Sequence, residues 1–150
     1  MEKRITIGSD HAGYALKIKI IAHLKEIGWD VIDVGTDSEA SCDYPVFADA
    51  VCKNIQNGTT KLGILICGTG IGMSMAANKH KGIRAAACEN TYSSRMTRAH
   101  NDSNVLCMGA RVVGPGLAAE ILHAFLDTDF EGGRHQRRID MIAELEKKPE

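Results

Sequence analysis

The sequence predicts an α/β fold with five strands in a parallel sheet covered by helices on both faces. Two observations predict it. Five short runs rich in β-branched and aliphatic residues are spaced along the chain, and between them apolar residues recur at intervals of three and four. Strand and helix alternating in this way bury a parallel sheet between helical layers.

Taken in order, Arg4 to Gly8 reads as the first strand. Leu16, Ile20, Leu24 and Ile27 then recur at helical spacing, with Lys17, His23, Lys25 and Glu26 on other faces and Gly28 as a stop. Asp30 to Val34 is the second strand. Phe47, Val51 and Ile55 mark a second helix, ended by Asn57-Gly58. Leu62 to Cys67 is the third strand, and the small and apolar residues from Ile71 to Asn78 start a helix directly after it. Ile83 to Cys88 and Asn104 to Met108 complete the strands. They are separated by a helix from about Thr91 to His100 and followed by one from Pro115 to Leu126, where Pro115 suits a first turn. Gly132-Gly133 breaks the chain, and Arg134 to Lys148 reads as a last helix with Ile139, Ile142, Ala143 and Leu145 as its stripe. No strand follows that helix, so it is expected to pack on a second subunit.

The 150 residues form one expected domain, 1–150, long enough to bury about 70% of the extended-chain surface without staples. A net charge of -1 provides no global basic field for nucleic acid or an anionic membrane, so any anion recognition is local. Five cysteines, odd in number and never spaced C-x-x-C, argue against a disulfide framework or a zinc ribbon. No apolar run approaches the ~18 residues of a membrane span, and Met1-Glu2-Lys3-Arg4 precedes too few apolar residues for a secretory signal. The expectation is a soluble, unprocessed, cytoplasmic protein with no nucleic-acid or membrane partner.

The strongest chemical signal is Cys67 running into Gly68-Thr69-Gly70-Ile71-Gly72. A cysteine ending an apolar strand is ordinarily an inert core residue. Here, though, three glycines in five residues let the backbone turn tightly and aim several amides at one point, a geometry that suits an anion or a developing oxyanion. In a doubly wound sheet the ligand crevice lies outside the carboxyl ends of the strands. Segments after strands one, three and five should share it: Ser9-Asp10-His11, the Cys67 loop, and Gly109-Ala110-Arg111. Asp10-His11 alone would read as a helix cap with a surface histidine.

Arg134 and Arg138 are four apart, hence on one helical face, and could clamp a phosphate from two sides. The plainer reading is a solvated basic face. Cations at a helix N-terminus oppose the macrodipole, however, which tips the balance towards a bound anion. A dinucleotide site fits poorly, since Met73 stands where G-x-G-x-x-G needs its third glycine and the loop follows the third strand. The histidines are scattered and lack ligand spacing, so a metal-free proton-transfer mechanism is expected.

Ser9-Asp10-His11-Ala12-Gly13, Asp43-Tyr44-Pro45, Ile66-Cys67-Gly68-Thr69-Gly70-Ile71-Gly72, Ala76-Ala77-Asn78-Lys79, His100-Asn101-Asp102-Ser103-Asn104 and Gly132-Gly133-Arg134-His135 together resemble the B-type ribose-5-phosphate isomerase family, in order and spacing over nearly the whole chain. The resemblance implies a Rossmann-like three-layer α/β/α sandwich, pentose phosphate metabolism, no cofactor, and a homodimer or tetramer whose sites take residues from two subunits. Cys67 with Met73 matches the branch of the family that uses cysteine in place of glutamate.

By position, the resemblance makes Cys67 the base that moves a proton between C1 and C2, and Gly68, Gly70, Ile71 and Gly72 part of the loop that binds the enediolate oxygens. Thr69 would shuttle protons on those oxygens and His100 would open the sugar ring. Asp10 and Asn101 would hold hydroxyls, and His11, Arg111, Arg134 and Arg138 phosphate or substrate. The chemistry suits these side chains: removing a weakly acidic carbon proton needs a base near neutrality and donors for the resulting oxyanion. Two other readings stay open, an isomerase of a six-carbon sugar phosphate (allose or galactose 6-phosphate) and a sugar-phosphate-binding module without catalysis.

Overall fold

The computed structural model describes residues 2–147 and 149. Strands β1 (Arg4–Ser9), β2 (Asp30–Asp33), β3 (Leu62–Cys67), β4 (Ala85–Ala87) and β5 (Val105–Gly109) form one parallel sheet in the order β2-β1-β3-β5-β4. Helices α1 (Tyr14–Glu26), α2 (Tyr44–Gln56), α3 (Ile71–Ala77), α4 (Thr91–Asn101) and α5 (Pro115–Leu126) connect or follow them, and α6 (Arg134–Lys147) closes the chain. No helix among the described residues is long and apolar enough to cross a membrane. Lys148, the expected end of α6, lies outside the described residues.

Alternation along the strands divides two cores. Ile5 and Ile7 of β1 and Ile64 and Ile66 of β3 point to one face, where Leu16, Ile20 and Leu24 of α1 and Ile121, Leu122 and Phe125 of α5 cover them. Leu65, Cys67, Val105 and Cys107 point to the other, against Val51 and Cys52 of α2 and Met73 and Ala77 of α3. Both faces of β3 are thus apolar, which is why it reads as a continuous hydrophobic run and is buried at every residue. The result is a three-layer α/β/α sandwich.

β1 lies between β2 and β3, so the chain winds outward in opposite directions from the β1–β3 pair. That reversal opens a crevice at the carboxyl ends of these two strands. Lys17, fully buried, donates from Nζ to both carboxylate oxygens of Asp33 (2.9 Å each) and to the Thr36 carbonyl (2.6 Å). The segment after β2 is thereby tied to α1, and Thr36 N–H reaches Ser9 O at 3.0 Å on the crevice floor.

β4 is shorter than the expected Ile83–Cys88. Ile83 N–H turns back to His80 O (3.2 Å), and Arg84 N–H is taken by the Asn104 side chain (2.8 Å), so the ladder proper begins at Ala85. At the sheet edge the Asn78 amide pairs with both backbone groups of Ala85, accepting from its N–H (2.8 Å) and donating to its carbonyl (2.9 Å).

Candidate active site

Three strand ends converge as the topology requires. Asp10 N–H donates to Ile66 O (3.3 Å), and Ala110 and Arg111 donate to the carbonyls of Cys67 (2.8 Å) and Gly68 (3.0 Å). The approach of the β5 turn to the glycine loop is so close that a β-carbon on Gly109 would lie 2.6 Å from Thr69 backbone atoms. Gly70 adopts a left-handed φ of 80°, the bend that starts α3.

Within this loop the amides already point at reactive groups. Gly70 N–H donates to Cys67 Sγ (3.2 Å) and Ile71 N–H to Thr69 Oγ1 (3.2 Å). Thr69 therefore accepts from the backbone and keeps its own proton free for a ligand. Cys67 is 5% exposed but ends its strand at the crevice, whereas Cys52, Cys88 and Cys107 belong to the interior. Burial pushes the Cys52 thiol up to about 12 and that of Cys88 to about 11, and raises Cys107 well above the ordinary range. Those three thiols stay protonated at physiological pH.

Asp10 is 6% exposed and does not cap α1, whose N-cap is Gly13. Its Oδ1 accepts Gly13 N–H (3.1 Å) in the turn between β1 and α1, directly after the carboxyl end of β1. His11 Nδ1 accepts the Cys42 backbone N–H (3.2 Å), so its proton sits on Nε2, which is left as the donor. The Arg111 guanidinium lies over Gly68, where an added β-carbon would meet its Nη1 at 3.3 Å. The Tyr44 ring packs on Gly72, with its hydroxyl 3.0 Å from where a β-carbon would stand. Tyr44 and Cys42 were not among the sequence-based candidates. Their contacts join residues 28 to 31 positions apart, which no local pattern displays.

The remaining candidates lie elsewhere. α4 runs back across the sheet, so His100 and Asn101 sit at the amino edge, where Asn104 bonds to Gly63 and Arg84 beside the starts of β3 and β4. The five residue steps of β3 put about 16 Å between that edge and Cys67. The turn there is firmly held: Asp102 takes a left-handed φ of 45°, Arg84 donates to the carbonyls of Asn101 (3.0 Å) and Asp102 (2.9 Å), and Arg98 to the Asp102 carboxylate (3.0 Å) and Ser103 O (2.6 Å). α6 begins beside it, because His135 stacks on His100 with ring centroids 4.2 Å apart. Arg134 and Arg138 are exposed, and among the described residues no carboxylate pairs with them or with Arg111.

One chain therefore brings Asp10, His11, Cys67, the glycine loop and Arg111 together at one edge, and His100, Asn101, Arg134 and Arg138 at the other. The first group offers a thiol, a hydroxyl, loop amides and a cation. The second offers an imidazole and two guanidinium groups that no carboxylate pairs among the described residues.

Comparisons with known proteins agree over nearly the whole chain. Residues 5–142 match the family model described as Ribose/Galactose Isomerase. The chain is 50% identical over 146 residues to Ribose-5-phosphate isomerase B of Escherichia coli, covering 97% of this chain and 98% of the relative. The solved structure of Ribose-5-Phosphate Isomerase B from Clostridium thermocellum superposes with a TM-score of 0.95 at 51% identity, covering 96% and 97% of the two chains. That of Ribose-5-phosphate Isomerase B from Mycoplasma genitalium, with bound ribulose-5-phosphate, superposes with a TM-score of 0.93 at 45% identity, covering 97% of each. With the match spanning both groups of site residues, this chain belongs to the ribose/galactose isomerase family.

Proposed function

We propose that the protein interconverts ribose 5-phosphate and ribulose 5-phosphate through a cis-enediolate. The observation that carries this reading is Cys67 poised at the glycine loop in a chain 50% identical, end to end, to an isomerase of that name. In the aldose-to-ketose direction the Cys67 thiolate removes the C2 proton, and the electron pair becomes the C1–C2 double bond as charge moves to O1. Loop amides and the Thr69 hydroxyl stabilise that charge and relay a proton between O1 and O2. Cys67 then returns the proton to C1 while O2 becomes the carbonyl. No group outside the chain is needed for this bookkeeping of protons.

His100 opens the furanose, taking the O1 proton as the C1–O4 bond breaks and O4 is protonated. Arg134 and Arg138 hold the phosphate, with His11 and Arg111, and Asp10 and Asn101 hold sugar hydroxyls. Because one chain separates His100 and the two arginines from its own Cys67, the working unit in this reading is at least a homodimer. In it each crevice is completed by the other subunit's α4–α6 corner. Exposed apolar residues on both parts support it: Ile71 and Met75 on α3, and Met141, Ile142 and Leu145 on α6.

The family's description also names galactose, and the two substrate classes differ in the distance from the reacting carbons to the phosphate. Turnover of purified protein on ribose 5-phosphate, allose 6-phosphate and galactose 6-phosphate tests the reading. Highest kcat/KM on ribose 5-phosphate is expected. Preference for a hexose phosphate would replace the substrate, and binding without turnover of any of them would replace the enzyme with a binding module.

A further inference from the structure

Beside His100 stand two groups to which the reaction above gives no task. Glu131 Oε1 lies 3.8 Å from His100 Nε2 and 3.5 Å from His135 Nε2. The His135 ring covers the His100 ring at a 10° interplanar angle. His135 is itself 8% exposed, fixed at the start of α6 by its N–H to Gly132 O (3.0 Å), while Glu131 N–H is anchored on Ala99 O (3.0 Å). A buried polar ring with a carboxylate at its edge is an expensive arrangement for packing alone.

A metal centre is the first alternative, since the three ligand atoms lie within 4.8 Å of one another. The stack argues against it. Stacked, nearly parallel imidazoles hold their lone pairs in two separate planes, and one ion cannot lie in both without turning a ring.

We propose that His135 and Glu131 are positioning residues for ring opening: His135 fixes the plane of the His100 imidazole, and Glu131 orients its Nε2 edge. This rests on the isomerase reading and on the role given there to His100. Ring opening passes one proton from O1 to His100 and on to O4, so the same imidazole must face two oxygens in succession without swinging away. A side chain at the end of a helix, 41% exposed, has several rotamers open to it. A parallel ring on one face and a carboxylate at one nitrogen remove that freedom. Burial, then the His100 ring and Arg134, lower the His135 imidazole from its usual range against the opposing pull of Glu131, which favours a neutral ring beside His100. The carboxylate of Glu131 faces the imidazolium as it forms.

The test separates ring opening from proton transfer at carbon. Ribulose 5-phosphate carries phosphate on the only oxygen that could close a furanose, so it is open-chain. Its exchange of a C1 proton for solvent deuterium reports the Cys67 step alone. His135→Ala and Glu131→Gln should each lower kcat on ribose 5-phosphate about tenfold or more. KM and the exchange rate on ribulose 5-phosphate should stay within about twofold of wild type, since neither step involves the stack. His135→Phe, which keeps a ring to stack, should recover most of the kcat lost in His135→Ala. Equal losses in turnover and exchange, or full kcat in both Glu131→Gln and His135→Ala, would overturn the proposal. Wild-type protein inactive in both assays would instead remove the isomerase reading on which it stands.

Discussion

The Gly70 amide donates to the sulfur of Cys67 across 3.2 Å, so the end of β3 and the turn into α3 form one unit around the thiol. Cys67→Ala removes the sulfur but leaves a loop whose bend is set by Gly70 itself. Its kcat should fall by about 10²- to 10⁴-fold, the usual worth of a positioned base, with phosphate affinity retained. Steady-state kinetics alongside inorganic phosphate inhibition would check this, and near-normal turnover would disprove the assignment.

The interior thiols predict an alkaline weakness. In the folded protein Cys52 titrates near 12 and Cys88 near 11, while an unfolded cysteine does so at about 8.5. Above about pH 8.5 the unfolded chain therefore loses protons that the folded chain keeps. Their contribution is fully present below that pH and is lost as pH rises towards the folded values. Urea midpoints measured from pH 8 to 10.5 should decline, with a shallower slope in Cys52→Ala than in wild type. Each such thiol accounts for at most about 1.4 kcal/mol per pH unit.

Two glycines should respond oppositely to alanine. Gly109→Ala drives a methyl into the Thr69 backbone and should cost about 1–3 kcal/mol of stability while displacing the loop and lowering kcat. At Gly116, in the first turn of α5, an added β-carbon meets nothing within 4 Å, and Gly116→Ala should stabilise by about 0.4–1 kcal/mol with activity unchanged. Thermal melts paired with initial rates decide both.

The separation of Cys67 from the arginines predicts complementation. An Arg134→Ala, Arg138→Ala double variant should raise KM at least tenfold, since each charge-assisted contact to phosphate is worth about 1.5–3 kcal/mol. Mixed under subunit exchange with Cys67→Ala, it should regain activity, because a mixed dimer holds one crevice with both lesions and one with neither. Verified mixed dimers that stay inactive would exclude a site shared between chains.

The parallel sheet and its helices were legible because β3, α1 and α5 carry complete apolar patterns, and because Cys67 and its glycines are contiguous. What escaped the sequence depends on distant pairs. Nothing local shows that Cys42 sets the His11 tautomer, that Tyr44 covers Gly72, or that His135 stacks on His100. The fourth strand was overestimated because Ile83 and Cys88 look like strand residues. They are buried, but Ile83 bonds back to His80, and only the three alanines keep strand geometry.

At that short strand the Asn78 side chain occupies the outward amide and carbonyl of Ala85. A carboxamide has the same donor and acceptor as a peptide group, so Asn78 acts as a one-residue counterfeit of a sixth strand. A neighbouring chain seeking to extend the sheet finds its first docking position taken and little strand left beyond it. Loss of that mimicry by deamidation, which turns the donor into an acceptor, would leave the Ala85 carbonyl unpaired and reopen the edge to strand-by-strand aggregation.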